Sequence, residues 1–182
     1  METGHELFIH GLTDIMDGER QLVEALQELA DDSTNPQLKK AFETHRKETE
    51  IQLERLNQCF ELLGETPEES ECKGLKGLIE EKKTFAEEDP EPDILDIFDV
   101  GAAIKAESYE ICEYKFLVQM AREMKHTKVA QLLSQTLKEE QATLKKMEAF
   151  QKKLKPEQMM TEEQEEQATA ASGKKKTRKR AA

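Results

Sequence analysis

Helix breakers and aromatics are scarce in this chain. Among 182 residues there is no tryptophan, with eight glycines and five prolines, while hydrophobic and charged residues each make up 36%. That balance belongs to helices with one buried stripe and much solvated surface, and strands are hard to place anywhere. A long apolar run is also missing, which excludes a transmembrane helix. The opening residues, METGHELF, have neither the basic flank nor the apolar block of a signal peptide, so the expected address is cytoplasmic. The cysteines, Cys59, Cys72 and Cys112, are odd in number and show no C-x-x-C spacing. This argues against a disulfide framework and against a thiolate zinc site. Structural thiols are the expectation, with Cys72, on an expected loop, the candidate for reactivity.

Excess positive charge is confined to one place. The formal net charge is −12, yet residues 174–180, from Lys174 to Arg180, carry six basic side chains and no acid, which leaves −18 on the rest. An acidic body repels nucleic-acid phosphates and attracts metal cations, or simply keeps the protein soluble. The length suits one helical domain over residues 1–155, followed by a polar extension over 156–182 whose basic end reads as a disordered tail.

What the chain does have is a repeated seam. Phe8, Leu12, Ile15, Glu19, Leu22, Leu26 and Leu29 recur at alternating steps of four and three, the core-facing stripe of a first helix over about residues 5–31. Glu19 is out of place there, because an unpaired carboxylate is expensive to bury. The cluster DDSTNP ends this helix, and Pro36 opens a second over 36–63. Its seam of Leu38, Phe42, His45, Thr49, Gln52, Leu56, Cys59 and Leu63 turns polar in the middle, with Glu48 on the same side. Residues 65–92 form a connection too long for a turn between neighbours, suited to a crossover along a bundle, with one short helix on Leu75, Leu78, Ile79 and Phe85. A third long helix over 93–124 has Ile97, Val100, Ile104, Glu107, Ile111, Tyr114, Val118 and Ala121 in its seam, with Glu110 one turn beyond Glu107. A fourth gives Val129, Leu133, Thr136, Glu140, Thr143, Met147, Phe150 and Leu154, and ends before Pro156. The expected fold is all-α: two antiparallel hairpins joined by a long crossover into a four-helix bundle.

The misplaced acids fall at one depth. Glu19 lies about 15 residues before the first turn and Glu48 about 14 after it, while Glu107 and Glu140 stand about 17 before and 16 after the second. Packing the hairpins together brings Glu19, Glu48, Glu107, Glu110 and Glu140 into one polar layer with His45. Such a layer must be neutralised by protons or by metal ions, and carboxylates supplied from all four helices are how a bundle holds a dinuclear centre. The alternative is a solvated or proton-sharing layer without metal. Oxygen-rich ligation with at most one imidazole suits iron or manganese, although ligand type also admits magnesium, calcium or zinc. His45 is either a ligand or a hydrogen-bonded core histidine.

Five short stretches, taken in order, resemble the YciE/YciF family of ferritin-like proteins: DGERQL at 17–22, HRKETEIQLE at 45–54, CKGLKGLIE at 72–80, ESYEI at 107–111 and TLKEE at 136–140. The likeness spans about residues 5–155. It implies a ferritin-like four-helix bundle, a bacterial stress context, a homodimer and a di-iron-type site. Two positions depart from it, since Lys47 and Leu144 stand where the family implies further acids. A second metal position is therefore expected to be weak or lost, with His45 or Gln52 completing part of the shell. No Glu-x-x-His falls in a seam, and Glu123-x-x-His126 has that spacing at a turn.

The leading expectation is thus an Fe(II)-binding centre that reacts with dioxygen or peroxide, with Tyr109 and Tyr114 close by on the third long helix. The competing class is a non-enzymatic stress or interaction protein whose tail touches nucleic acid through residues 174–180, without sequence preference. Iron storage would need a closed cage, which the sequence does not demonstrate.

Overall fold

The computed structural model describes residues 2–153. Five helices follow one another: α1 Gly4–Asp32, α2 Pro36–Leu63, α3 Lys73–Ala86, α4 Pro92–Glu123 and α5 Thr127–Gln151. Their ends have local causes. The Thr3 hydroxyl accepts from the Glu6 backbone N–H at the start of α1. Asn35 Oδ1 accepts from the N–H groups of Gln37 and Leu38 at 2.9 and 3.3 Å, with Pro36 in the first turn of α2. The far end of α2 is closed by Gly64, whose φ of 71° lies in the left-handed region.

The long helices form a ring in which α1 packs on α2 and α4, and α5 packs on the same two. Contacts at different levels fix the directions. Gly11 lies against Leu117 while Thr34 bonds to Asp96, so α1 and α4 are antiparallel. Arg55 meets Thr136 while His45 approaches Glu140, so α2 and α5 are antiparallel as well. It follows that α2 and α4 run the same way, and the chain between them has to travel the length of the bundle. Asp96 ties the top together, accepting from the Thr34 N–H and hydroxyl and from the Asn35 N–H at 3.1, 2.5 and 3.0 Å.

The crossover helix α3 lies on α1 and α4. Two glycines let it come close: a Cβ on Gly18 would strike the Leu75 side chain, and one on Gly74 would meet the Tyr109 ring at 2.5 Å. At its other end Phe85 stacks on Phe98 with ring centroids 3.9 Å apart. This docking corrects the expectation for Cys72. The residue is fully buried at the start of α3, its N–H donates to Asp17 Oδ2 at 2.8 Å, and burial pushes its thiol pKa up. Cys59 is also buried, its thiol pushed up to about 12, which leaves Cys112 as the exposed one.

The expected seams are buried in α1, α2 and α5, apart from Leu63 and Phe150 near the helix ends, which are half-buried. In α4 the stripe is wider: Ile97 and Ile104 are half-buried, while Asp99, Ala103, Glu110 and Leu117 join the interior. The reason is that α4 touches three helices, α1, α5 and α3, so more than one seam faces protein. Among the described residues no helix is long and apolar enough to cross a membrane. Leu154 and the extension over 156–182, with its basic segment, lie outside the described residues.

Candidate metal centre

The polar layer sits between apolar layers. Below it α1 and α2 supply Phe8, Leu12 and Phe60, and above it Leu26, Leu29, Leu38 and Phe42, all buried. Between them Glu19, His45, Glu107, Glu110 and Glu140 are each at most 3% exposed. The placement follows from periodicity. Each of Glu19, His45, Glu107 and Glu140 occupies a seam position, and Glu110 follows Glu107 by one turn.

One donor atom from each of His45, Glu107, Glu110 and Glu140 lies within 4.8 Å of all the others. His45 Nε2 is 2.8 Å from Glu107 Oε1 and 3.9 Å from Glu140 Oε2. Glu19 lies outside this set of four but within its field, and its Oε1 accepts a short hydrogen bond from the Tyr114 hydroxyl. Glu48 is different. Its side chain is 39% exposed, and its Oε2 stands 3.8 Å from His45 Nδ1 on the outer side of the ring. The structure therefore gathers four interior glutamates and one imidazole, with Glu48 at their outer edge.

Gln52 and Arg55 of α2 support the layer. The Gln52 amide donates to Glu140 Oε1 and, at 3.3 Å, to Glu139 Oε2. Arg55 donates to both oxygens of Glu139, at 2.8 and 3.1 Å, and to the Thr136 hydroxyl at 2.6 Å. Gln52 was visible as a polar seam residue. Arg55, beside the seam, carried no signal, since a charged residue at such a position is ordinarily solvated.

Burial raises the carboxyl pKa values of Glu19, Glu110 and Glu140. Glu19 is pushed up to about 7, the Tyr114 hydrogen bond and the positive field of His45 offsetting part of the desolvation. Glu110 and Glu140 rise well above the usual carboxylate range, through burial first and neighbouring glutamates second. For His45 burial favours the neutral ring, but Glu107, with Glu48 and Glu140, more than compensates and holds its pKa well above the ordinary value. The outer Glu48 goes the other way, lowered mainly by its contact with His45.

Among the described residues six buried atoms of this layer lack any hydrogen-bond partner: Oε2 of Glu19, Glu107, Glu110 and Glu140, Nδ1 of His45 and Oε1 of Gln52. Buried oxygens left in this way are costly unless a cation or proton engages them. Three carboxylates and one imidazole within coordination reach of a common point fit a divalent metal ion. The cluster can hold one.

The family model described as Domain of unknown function (DUF892) matches residues 3–171. The chain belongs to the DUF892 family. Its sequence is 38% identical to the protein YciF of Escherichia coli over 144 residues, 79% of this chain and 87% of YciF. The crystal structure of the E. coli stress protein YciF superposes with a TM-score of 0.80 at 36% identity, covering 83% of this chain and 96% of that one. The protein YcfI of Rhodopseudomonas palustris gives 0.79 at 35% identity, covering 81% and 94%. The five-helix arrangement of this DUF892 chain is thus the ferritin-like fold of YciF.

Proposed function

We propose that this DUF892 chain is a metal-binding protein of stress protection whose carboxylate centre holds iron, or manganese in its place, and reacts with dioxygen or peroxide. One observation carries this reading: four buried donors converge from α2, α4 and α5 within 4.8 Å, each with an atom left unpaired. Glu107, Glu110, Glu140 and His45 would hold the ion, with Glu19 facing them from α1. A bound redox metal supplies the electrons that reduce dioxygen or peroxide. The chain's own part is to orient and to shield. Gln52 fixes one oxygen of Glu140, Tyr114 fixes one of Glu19, and the apolar layers on both sides keep water away. With Lys47 exposed and Leu144 apolar, the interior acids favour one tightly held ion over a symmetric pair. Kinship with YciF, a stress protein of E. coli, supports the physiological side.

Elemental analysis of the full chain purified without added metal tests the first half. Aerobic Fe(II) oxidation, compared with Glu107→Ala and Glu110→Ala, tests the second. Iron or manganese near one per chain and slower oxidation in both variants are expected. A metal-free chain that fails to take up Fe(II), or equal rates, would overturn the proposal.

A further inference from the structure

Between its two pinned ends α3 does not seal the bundle. Gly18 and Gly74 bring its first turns tight against α1 and α4, and the Phe85–Phe98 stack holds its last turn. In between, α1 and α4 present Ala25, Ala102, Ala103 and Ala106, side chains too short to fill the space under Leu75 and Leu78. A cavity of about 40 Å³ results. Its outer rim is set by Glu28 and Lys82, which form ion pairs with Lys83 and Asp32 across the α1–α3 gap. Its inner end is His45 and Glu107, each at most 3% exposed, whose Nδ1 and Oε2 lack partners. The cavity thus runs from beneath the crossover helix to one edge of the metal centre.

We propose that this cavity is the binding site and approach path for dioxygen. The inference rests on the metal-centre reading above and names which oxidant the site takes. About 10–15 Å³ suffices for one water, so the space admits a diatomic gas, and walls made mostly of alanine, leucine and isoleucine favour small apolar guests. Hydrogen peroxide would lose its hydrogen bonds to water there and regain them only at the inner end. A hydrated cation is excluded on the same ground. The ion pairs at the rim leave a neutral apolar gas unhindered.

Xenon serves as the probe, because it enters dry apolar cavities whether or not metal is present. In the full metal-free chain, a saturable xenon shift in nuclear magnetic resonance, or xenon density in pressurised crystals, is expected under α3. Ala106→Leu should abolish it, with Ala25→Leu on the opposite wall as a second variant. Both variants should bind Fe(II) anaerobically as the parent does, oxidise it several-fold more slowly with dioxygen, and oxidise it at the parent rate with hydrogen peroxide. Absence of xenon from the parent cavity, or equal slowing with the two oxidants, would overturn the inference. Xenon binding in a chain that takes up no Fe(II) would overturn the metal-centre reading and with it the cavity's role for dioxygen, whereas Fe(II) uptake without xenon binding would overturn the cavity inference alone.

Discussion

His45 and Glu107 meet across the diagonal of the bundle, Nε2 to Oε1 at 2.8 Å, from helices α2 and α4 that are not neighbours in the ring. Glu140 Oε2 lies 3.9 Å from the same nitrogen, so one imidazole faces two carboxyl groups. Removing one partner of a buried pair costs about 3–5 kcal/mol, less where the orphaned acid can take up a proton. In metal-free protein, His45→Leu should lower stability by roughly 2–4 kcal/mol near pH 6.5. Because the folded-state pKa of His45 is raised, its contribution is full below the unfolded value of about 6.5 and is lost as pH rises through the folded one. Urea unfolding with a chelator at pH 6.5, 8 and 9.5 should show the deficit shrinking, and a deficit that grows with pH would contradict this assignment.

Gln52 of α2 donates its side-chain amide to Glu140 Oε1. If it orients that carboxylate, Gln52→Leu should weaken metal binding by about 10–100-fold while leaving the fold intact. Competitive Mn(II) titration and circular dichroism measure the two separately. A dissociation constant within about twofold of the parent would mean that Glu140 needs no support from α2.

The four seams were legible because helical periodicity writes them directly into the sequence, and Glu19 and Glu140 stood out as charges inside apolar stripes. What counting from the turns could not settle was rotation. Depth matched Glu48 to Glu19, yet the side of α2 that faces inward is fixed by His45, Thr49 and Gln52, and three residues on from His45 the chain has turned toward the flank. Arg55, Lys82 and Asp99 were illegible for another reason. Each is a charged residue beside a seam, buried only because a neighbouring helix covers it. Cys72 looked solvent-facing because its segment reads as loop, and it is the packing of that segment on α1 that buries it.

Asp99 tests whether such a hidden charge carries a cost. It is fully buried near the top of α4, both oxygens lack partners, and burial, with Lys82 offsetting and Asp32 and Asp96 adding to it, pushes its pKa up to about 7. An acid whose folded pKa is raised binds its proton more tightly in the folded state, so it lowers stability progressively as pH rises from about 4 to 7. Asp99→Asn should therefore stabilise the protein on the order of 2 kcal/mol at pH 8 and have little effect at pH 4.5. Thermal unfolding at the two values measures the difference, and equal shifts at both would show that Asp99 is not the titrating group.

Two glycines on and under α3 should respond with opposite signs to the same substitution. Alanine is favoured over glycine inside a helix by about 1 kcal/mol. At exposed Gly77 nothing lies within 4 Å of an added Cβ, so Gly77→Ala should recover most of that preference. At Gly18 the Cβ would overlap the fully buried Leu75 side chain and stand 3.4 Å from Cys72 Sγ. Overpacking of that kind costs about 1–3 kcal/mol, which outweighs the helical gain. Gly18→Ala should therefore destabilise the chain, and the strain should appear first where α3 leaves α1. Hydrogen exchange should show early loss of protection over residues 73–86, with α2 and α5 unchanged. If both alanine variants are stabilising, α3 is held less tightly than the Gly18–Leu75 contact requires.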